Sequence, residues 1–285
     1  MKLSLSVYSL HEAFVAGDAT IDGFIEFARG VGVDAVELGY YWQDEELECA
    51  AAAKRVREAG LSVSGYIVSN NFALLDAEKG RGEIEKVKRA TDRARELGTD
   101  VVRVFAGGRR GGSFEKDRAR VVEALRECIA YAEPLGVRLA MEDHGGVGGT
   151  SEHLLYYHRE LGSEHFGFVV DIANFLANAG EEVLPAVRRV APHAMLVQAK
   201  DGIRQADGTW LPRLCGEGRI PLEAGLRALA EAGYDGYVSI EYEVPVDYRV
   251  GIAHEADYLR TLLVRLGGKL GAPNAPRGVS SRTKV

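Results

Sequence analysis

The chain has 285 residues, of which 46% are hydrophobic and 27% are charged, and it carries a formal net charge of −7. This length and composition suit a globular chain with one sizeable core, and no apolar run reaches the ~18 to 20 residues of a membrane span. The acidic balance argues against a surface that binds nucleic acid through its phosphates. The first residues, MKLSLSVYSLHEAF, are typical of a strand and not of a signal peptide, so we expect a cytoplasmic protein that contacts neither nucleic acid nor membrane.

Short runs rich in Val, Leu, Ile and Ala recur along the chain, and each is followed by a longer amphipathic segment. Eight such runs can be counted, at 3–8, 34–39, 61–68, 100–107, 137–142, 166–171, 194–200 and 237–243. Segments with apolar positions three and four apart, which indicate helices, lie between them and include 21–32, 82–98, 114–136 and 221–234. This alternation of strands and helices predicts a parallel sheet.

Eight strand-helix units in about 250 residues match the size of a closed (β/α)8 TIM barrel, and we predict this α/β fold as a single domain over residues 1–266. An open doubly wound sheet is the alternative, but the turn after the first run, YSLHEAF, lacks the glycines that its nucleotide-binding forms usually carry. From Gly267 onward the sequence is polar and rich in Gly and Pro, so residues 267–285 are predicted to form a flexible tail.

Polar side chains mark four successive predicted strands, at or near the point where each strand ends. They are Glu142, Asp171, Gln198 and Glu241, and each follows apolar or small residues. The carboxyl ends of barrel strands form the rim where such folds place their chemistry, so these side chains are expected to converge. Because isolated buried carboxylates are costly, a shared cation would stabilise them. We therefore predict a divalent metal site here, although any one of these residues alone could be a solvated loop residue or a helix cap.

Several motifs resemble those of the xylose isomerase-like TIM barrels, which include sugar isomerases and epimerases, hydroxypyruvate isomerase, 3-dehydroshikimate dehydratase and, more distantly, endonuclease IV. The motifs are AMEDHGG (140–146), DIANF (171–175), VQAKDG (197–202) and GEGRIPLEAGLRALAEAGYDGYVSIEYE (216–243). The first is similar to the family's Glu-Asn-His-Gly-Gly strand end, and the last is the most specific. The resemblance covers residues 3–265 and implies the same barrel.

The resemblance also implies metal ligands at Glu142, Asp171 and Glu241, and one at the position of Gln198, where the family usually has His. Since Gln offers an uncharged carbonyl oxygen, the site would be all-oxygen and would favour Mn²⁺ or Mg²⁺ over Zn²⁺. Some dehydratase members resemble this chain in using Gln there. The alternative is that Gln198 only hydrogen-bonds to a neighbour and that metal binding is lost.

Catalytic roles follow from the same resemblance. In related epimerases the glutamates of the fifth and eighth strands are both ligands and acid/base groups, which implies those roles for Glu142 and Glu241. His144 is expected to shuttle a proton or bind substrate, unless it is a loop histidine satisfied by a backbone carbonyl. Lys200 is expected to stabilise an oxyanion, and the alternative is an ion pair with Asp201 or with a site carboxylate.

Other residues are expected to bind substrate. Asn174 stands where relatives commonly have a substrate-facing His, and it can orient a hydroxyl but cannot titrate. Glu37 and Arg103 lie on predicted strands, where they would bind substrate or support the metal ligands. Three arginines in the insertion before the final helix, which are Arg204, Arg213 and Arg219, suggest an anionic or polyhydroxyl ligand. Aromatic residues near the rim, which suit the apolar faces of sugar rings or simply cover the core, are Tyr8, Tyr40, Tyr41, Trp42, Tyr66 and Phe105.

These expectations describe a metal-dependent isomerase or epimerase of keto-sugars or sugar derivatives. A carboxylate would remove the proton next to a carbonyl to give a metal-stabilised enediolate, and return of the proton elsewhere would complete the reaction. A leaving group in the β position would make the enzyme a lyase of the 3-dehydroshikimate dehydratase type. A DNA-repair endonuclease or a non-catalytic sugar-binding relative is a further alternative. The resemblance also implies a homo-oligomer, either a dimer or a tetramer.

Overall fold

The computed structural model describes residues 1–267, in which eight parallel strands close into a barrel. These residues form ten strands, which are in chain order β1 (Lys2–Ser6), β2 (Ala35–Leu38), β3 (Ser62–Ile67), β4 (Val101–Val104), β5 (Arg138–Glu142), β6 (Phe166–Asp171), β7 (Ala194–Ala199), β8 (Asp201–Arg204), β9 (Trp210–Arg213) and β10 (Tyr237–Ile240). The barrel order is β1-β10-β7-β6-β5-β4-β3-β2, and β8 pairs with β9 in a separate hairpin. The predicted (β/α)8 fold is confirmed. The predicted tail, apart from Gly267, lies outside the described residues.

Helices surround the barrel. They are α1 (His11–Ala16), α2 (Ile21–Val31), α3 (Glu45–Glu58), α4 (Ala77–Leu97), α5 (Phe114–Ala132), α6 (Ser151–Leu161), α7 (Asn174–Ala179), α8 (Val183–Val190), α9 (Leu222–Glu231) and α10 (Tyr248–Arg265). Between residues 1 and 267, no helix combines the length and the apolar character needed to cross a bilayer. The helices and the outer face of the sheet bury a continuous apolar layer that includes Phe24, Leu125 and Leu226.

Side chains at the helix ends fix where the helices begin and stop. The carboxylate of Asp76 accepts a hydrogen bond from the backbone N–H of Lys79 (2.9 Å), and α4 begins after it. The helix ends at Gly98, which has a left-handed backbone (φ 80°). The sequence pattern predicted only residues 82–98 for this helix, because the apolar period starts after its first, exposed turn.

The barrel interior is filled in layers, and these layers place the site. Val101, Ala140, Val169 and Leu196 form an apolar cluster inside the barrel. Side chains two residues apart on a strand face the same way, so the next interior residue of each strand lies one layer nearer the carboxyl ends. Those residues are Arg103, Glu142, Asp171 and Gln198. A layer of apolar side chains therefore lies directly beneath a layer of polar side chains at the barrel mouth.

The predicted insertion after the seventh strand is a β-hairpin closed by one carboxylate. Asp201 accepts four backbone N–H groups, those of Gly202 (2.7 Å), Gly216 (3.0 Å), Gly218 (3.1 Å) and Ile220 (3.0 Å). Asp201 was one of the partners expected for Lys200 from the sequence. The carboxylate oxygens of Asp201 instead accept hydrogen bonds from the backbone next to it and after β9. The hairpin is thereby fixed beside the barrel mouth.

Candidate active site

Three buried carboxylates meet at the carboxyl end of the barrel. Glu142 is the last residue of β5, Asp171 is the last residue of β6, and Glu241 directly follows β10. One oxygen from each lies within 4.8 Å of the others, and all three residues are buried. The structure therefore brings together the three acids predicted from strand ends. Carboxylates this close in a low-dielectric site repel one another strongly unless cations balance them.

Lys200 supplies one such cation. Its Nζ lies 3.0 Å from Asp171 Oδ2, 2.7 Å from Glu241 Oε2 and 3.0 Å from Glu243 Oε1. Burial alone would lower the pKa of Lys200, but the surrounding carboxylates outweigh it and raise that pKa well above its ordinary value. The ion pair with a site carboxylate, which was the alternative expected for Lys200, is thus present, and its partners are Asp171, Glu241 and Glu243.

The acids respond differently to this environment. Burial opposes ionisation of Glu241, but Lys200 and Arg103 outweigh it and lower the pKa of that carboxyl. For Asp171 burial prevails, and with the charge of Glu241 and Glu142 it raises the pKa to about 8 despite Lys200. One lysine therefore does not balance the whole cluster, and an additional positive charge would favour ionised Asp171.

Glu142 is held by two neighbours on different elements. Arg103 Nη1 lies 2.5 Å from Glu142 Oε2, and Asn174 Nδ2 donates to Glu142 Oε1 at 3.1 Å. Nη2 of Arg103 donates to the hydroxyl of Tyr40, and Cζ of Arg103 lies 4.1 Å from the ring centroid of Phe105. Arg103 is 3% exposed, so its contacts are with the protein. Of the two roles predicted for Arg103, support of a ligand is the one that these contacts favour.

Gln198 is buried on β7 and faces the interior. Its Nε2 donates to Glu37 Oε2 at 3.2 Å, whereas its carbonyl Oε1 is buried and has no hydrogen-bond partner. Glu37 is likewise buried, and burial raises its pKa to about 7. A buried oxygen without a partner is costly, and a cation at the barrel mouth would remove that cost.

The donor set fits a divalent cation. Three carboxylates have oxygens within 4.8 Å of one another, and Gln198, which carries an unpartnered amide oxygen, pairs with Asp171 in the strand register. Oxygen donors of these kinds are the ligands that hard cations prefer. The predicted ligands Glu142, Asp171 and Glu241 are therefore close enough for one ion, and Gln198 is compatible with it in donor chemistry.

Tyr66, which was predicted to bind substrate, lies away from the three carboxylates. The pairing of β2 with β3 shifts between Val36 and Glu37, which turns Gly65 toward the interior beside Leu196 and leaves its neighbour Tyr66 facing the helices. The hydroxyl of Tyr66 donates to Glu45 of α3 and accepts from Trp42 Nε1. The structure therefore does not bring Tyr66 to the carboxylates.

Arg204 is also separate from the buried group. It is exposed on the hairpin, where its guanidinium lies beside Gly180 and Gly208. His144 is exposed at the rim, with its ring centroid 4.6 Å from that of Phe105. His144 lies close enough to the cluster to help lower the pKa of Glu241. It remains accessible to a ligand entering the mouth.

A comparison with known proteins decides the family. The sequence model of the family described as xylose isomerase-like TIM barrel matches residues 25–262. The chain belongs to this family.

Relatives of this xylose isomerase-like barrel have different assigned activities. A Streptomyces coelicolor protein assigned as hydroxypyruvate isomerase is 28% identical over 76% of this chain and 83% of the relative. Fructoselysine 3-epimerase of Escherichia coli O157:H7 is 25% identical over 60% of this chain and 62% of the relative. A Carboxydothermus hydrogenoformans protein assigned as endonuclease 4 is 29% identical over 40% of this chain, and the match spans 41% of that relative.

Solved structures share the same barrel. The IOLI protein, solved with a bound zinc atom, superposes with a TM-score of 0.75 at 22% identity and covers 95% of this chain and 100% of its own. A Bacillus anthracis protein assigned as 3-DHS dehydratase superposes with a TM-score of 0.76 at 16% identity over 91% of this chain and 99% of its own. At these identities the likeness shows the fold alone.

Two acids of this xylose isomerase-like barrel were missed from the sequence. Asp143 is fully buried, its Oδ1 accepts from the backbone N–H of Asp171 (2.9 Å), and burial with the charges of Asp171 and Glu142 raises its pKa well above the ordinary value. Glu243 completes the set of carboxylates around Lys200. Glu243 could have been found because it lies two residues after Glu241, so that the two side chains face the same way if the chain stays extended. Asp143 could have been found because the motif EDHGG has Asp where the family motif has Asn.

Proposed function

We propose that this chain is a divalent-metal-dependent isomerase or epimerase of keto-sugars or sugar derivatives, acting by proton abstraction next to a carbonyl. The observation that carries the proposal is the convergence of Glu142, Asp171 and Glu241 at the barrel mouth, with oxygens within 4.8 Å of one another. The carboxyl end of the strands is where barrels of this kind place their chemistry. The sugar isomerase and epimerase names of the relatives support the same class.

Glu142, Asp171, Glu241 and the carbonyl oxygen of Gln198 would hold the ion. Three carboxylates and an amide favour Mn²⁺ or Mg²⁺, because no nitrogen or sulfur donor that would favour zinc stands at these positions. A divalent ion bound there polarises a substrate carbonyl and makes the neighbouring C–H more acidic.

The proton is moved by the chain's own acids. Glu142 and Glu241 come from different strands and are held independently, the first by Arg103 and Asn174 and the second by Lys200. One of them removes the proton from the carbon next to the carbonyl, and the other returns a proton to a different face or carbon. Two separately anchored carboxylates supply the acid and the base that an isomerase or epimerase needs.

Other residues orient the substrate and balance its charge. The ammonium group of Lys200 lies beside Glu241, where it stabilises negative charge on a substrate oxygen after proton removal. Asn174 cannot titrate, so it binds a hydroxyl while it holds Glu142. His144 at the exposed rim binds substrate or passes a proton between the site and solvent.

A lyase reaction of the 3-dehydroshikimate dehydratase type is the second candidate. The amide at position 198 favours it, since some dehydratases resemble this chain in using Gln there. The same proton abstraction leads to elimination when a leaving group lies β to the carbanion. Whether the enzyme isomerises or eliminates is then decided by the substrate and not by a different set of residues.

Proton exchange in D₂O tests both candidates. The full chain, loaded with Mn²⁺ or Mg²⁺, is incubated with a panel of ketoses and 2-keto acids, and loss of a specific C–H signal is followed by NMR. We expect exchange with appearance of an isomer, and we expect Glu142→Gln to abolish it. Dehydroshikimate, followed by ultraviolet absorbance of protocatechuate, separates the lyase. Ligand binding without exchange or elimination would contradict both and identify a non-catalytic binding protein.

A further inference from the structure

Glu37 contacts Gln198 from a strand that does not neighbour β7 in the barrel. It lies on β2, which pairs with β1 and β3, whereas Gln198 lies on β7, which pairs with β6 and β10. The hydrogen bond from Gln198 Nε2 to Glu37 Oε2 (3.2 Å) therefore crosses the barrel interior. Both residues are fully buried, with 0% exposure, so water does not compete for the bond. The contact belongs to the interior of the site and not to its surface.

The chemistry of the two groups fixes which way the amide faces. The ionised carboxylate of Glu37 only accepts, and in the Gln198 side chain only the NH₂ group donates. The NH₂ end must therefore face Glu37, which leaves the carbonyl oxygen at the other end. That oxygen, Oε1, is buried and has no hydrogen-bond partner. A half-turn of the amide would set two acceptor oxygens against each other and direct the NH₂ group away from Glu37.

We propose that Glu37 is a positioning residue that turns the Gln198 amide so that its carbonyl oxygen faces the cation held by Glu142, Asp171 and Glu241. The inference rests on the proposed function, since it requires that cation. An amide with its NH₂ group toward a divalent ion cannot coordinate it, so the orientation decides whether Gln198 is a ligand. Glu37 acts through Gln198 and touches neither the ion nor the substrate in this role.

Mn²⁺ affinity, measured from the electron paramagnetic resonance signal of free Mn²⁺, tests the proposal without an activity assay. The full-length wild type and each variant are titrated with Mn²⁺ under identical conditions. Loss of an outer partner of a metal ligand typically weakens affinity about 10- to 100-fold, and we expect this for Glu37→Leu. We expect a similar loss for Gln198→Ala. If Glu37 acts through Gln198, the double variant binds no more weakly than the weaker single variant.

Matched variants separate orientation from folding. Ser64→Ala removes another buried polar group of the barrel, one whose hydroxyl pairs with that of Ser4 (2.7 Å), and should leave Mn²⁺ affinity unchanged. Glu37→Gln keeps the shape of the side chain but can donate as well as accept, so both amide orientations become populated and affinity falls a few-fold. Glu37→Gln therefore gives the answer if Glu37→Leu does not fold.

Different outcomes overturn different statements. Unchanged affinity in Glu37→Gln and Glu37→Leu, with tight binding in the wild type, would overturn the role of Glu37 and leave the metal site standing. Losses that multiply in the double variant would also overturn it, because they would show that Glu37 acts independently of Gln198. A wild-type chain that binds neither Mn²⁺ nor Mg²⁺ would instead overturn the proposed function.

Discussion

Arg103 and Glu142 form an ion pair across the neighbouring strands β4 and β5, with 2.5 Å between Nη1 and Oε2 and side chains that are 3% and 0% exposed. Each lies two residues beyond a member of the apolar cluster, Val101 and Ala140, so both side chains face the barrel interior. In the strand register Arg103 is opposite Ala140, and its long side chain reaches forward to Glu142. Both charges have lost their hydration, and each depends on the other for compensation.

Arg103→Met is therefore expected to destabilise the metal-free protein by about 3–5 kcal/mol, because it leaves the Glu142 carboxylate buried and unpaired. Urea denaturation of the metal-free chain measures the change. Tyr40→Phe, which removes only the hydroxyl that accepts from Arg103, should cost about 1 kcal/mol. Equal stability of Arg103→Met and the wild type would show that the pair is not needed to stabilise the fold.

The acid cluster makes a prediction about metal content. We expect the double variant Glu142→Ala and Asp171→Ala to lose its divalent metal, since it removes two of the three converging carboxylates. Elemental analysis of the purified protein after dialysis against limiting Mn²⁺ checks this. Glu223→Ala, an exposed carboxylate on α9, is the control and should retain the ion. Retention by the double variant would contradict the assignment of the ligands.

Lys200 separates charge balance from metal binding. Lys200→Met is expected to reduce turnover about 10²- to 10³-fold, as loss of a group that stabilises a substrate oxyanion does. Affinity for Mn²⁺ should not fall, because the variant frees Asp171 and Glu241 from a competing cation. Steady-state kinetics and Mn²⁺ titration measure the two effects separately. Lys88→Met is the control for charge removal, because Lys88 is a part-buried lysine of α4 that pairs with Glu85 (2.9 Å) and Glu127 (2.8 Å) far from the site. Parallel loss of affinity and turnover in Lys200→Met would argue for a purely structural lysine.

The fold and the acid cluster were predictable because both depend on short-range rules. Apolar runs separated by amphipathic segments specify a closed parallel barrel, and the ends of its strands must meet at one rim. Glu142, Asp171 and Glu241 were therefore expected to converge, and they do. The order of apolar and polar residues along each strand contained the information.

Contacts between segments far apart in the sequence could not be predicted in the same way. The position of Tyr66 depends on a register shift between β2 and β3, which changes which residues face inward and has no mark in the local sequence. Whether Lys200 pairs with Asp201 or with the site carboxylates depends on the path of the chain after β9. The backbone N–H groups of that segment donate to Asp201, and the sequence does not show where the segment lies. These features arise from tertiary packing.

Glu255 predicts how stability depends on pH. It lies on α10 at 1% exposure and accepts from the backbone N–H of Cys215 (3.3 Å), and burial raises its pKa from 4.5 to about 8. Between these values the folded chain binds a proton that the unfolded chain has released. The contribution of Glu255 to the free energy of unfolding is therefore fully present below pH 4.5. It is lost as pH rises toward 8, by up to about 1.4 kcal/mol per pH unit.

Glu255→Gln should remove this dependence, because an amide stays neutral at every pH. The difference in unfolding free energy between the variant and the wild type should therefore move in favour of the variant as pH rises from 4.5 to 8. Urea denaturation at several pH values, with metal-free protein, gives that difference, and other buried acids such as Asp143 cancel from it because both chains contain them. Glu223→Gln, which alters an exposed carboxylate, should give a flat difference. A flat difference for Glu255→Gln as well would mean that Glu255 is ionised in the folded protein, with a counter-charge or water that satisfies it.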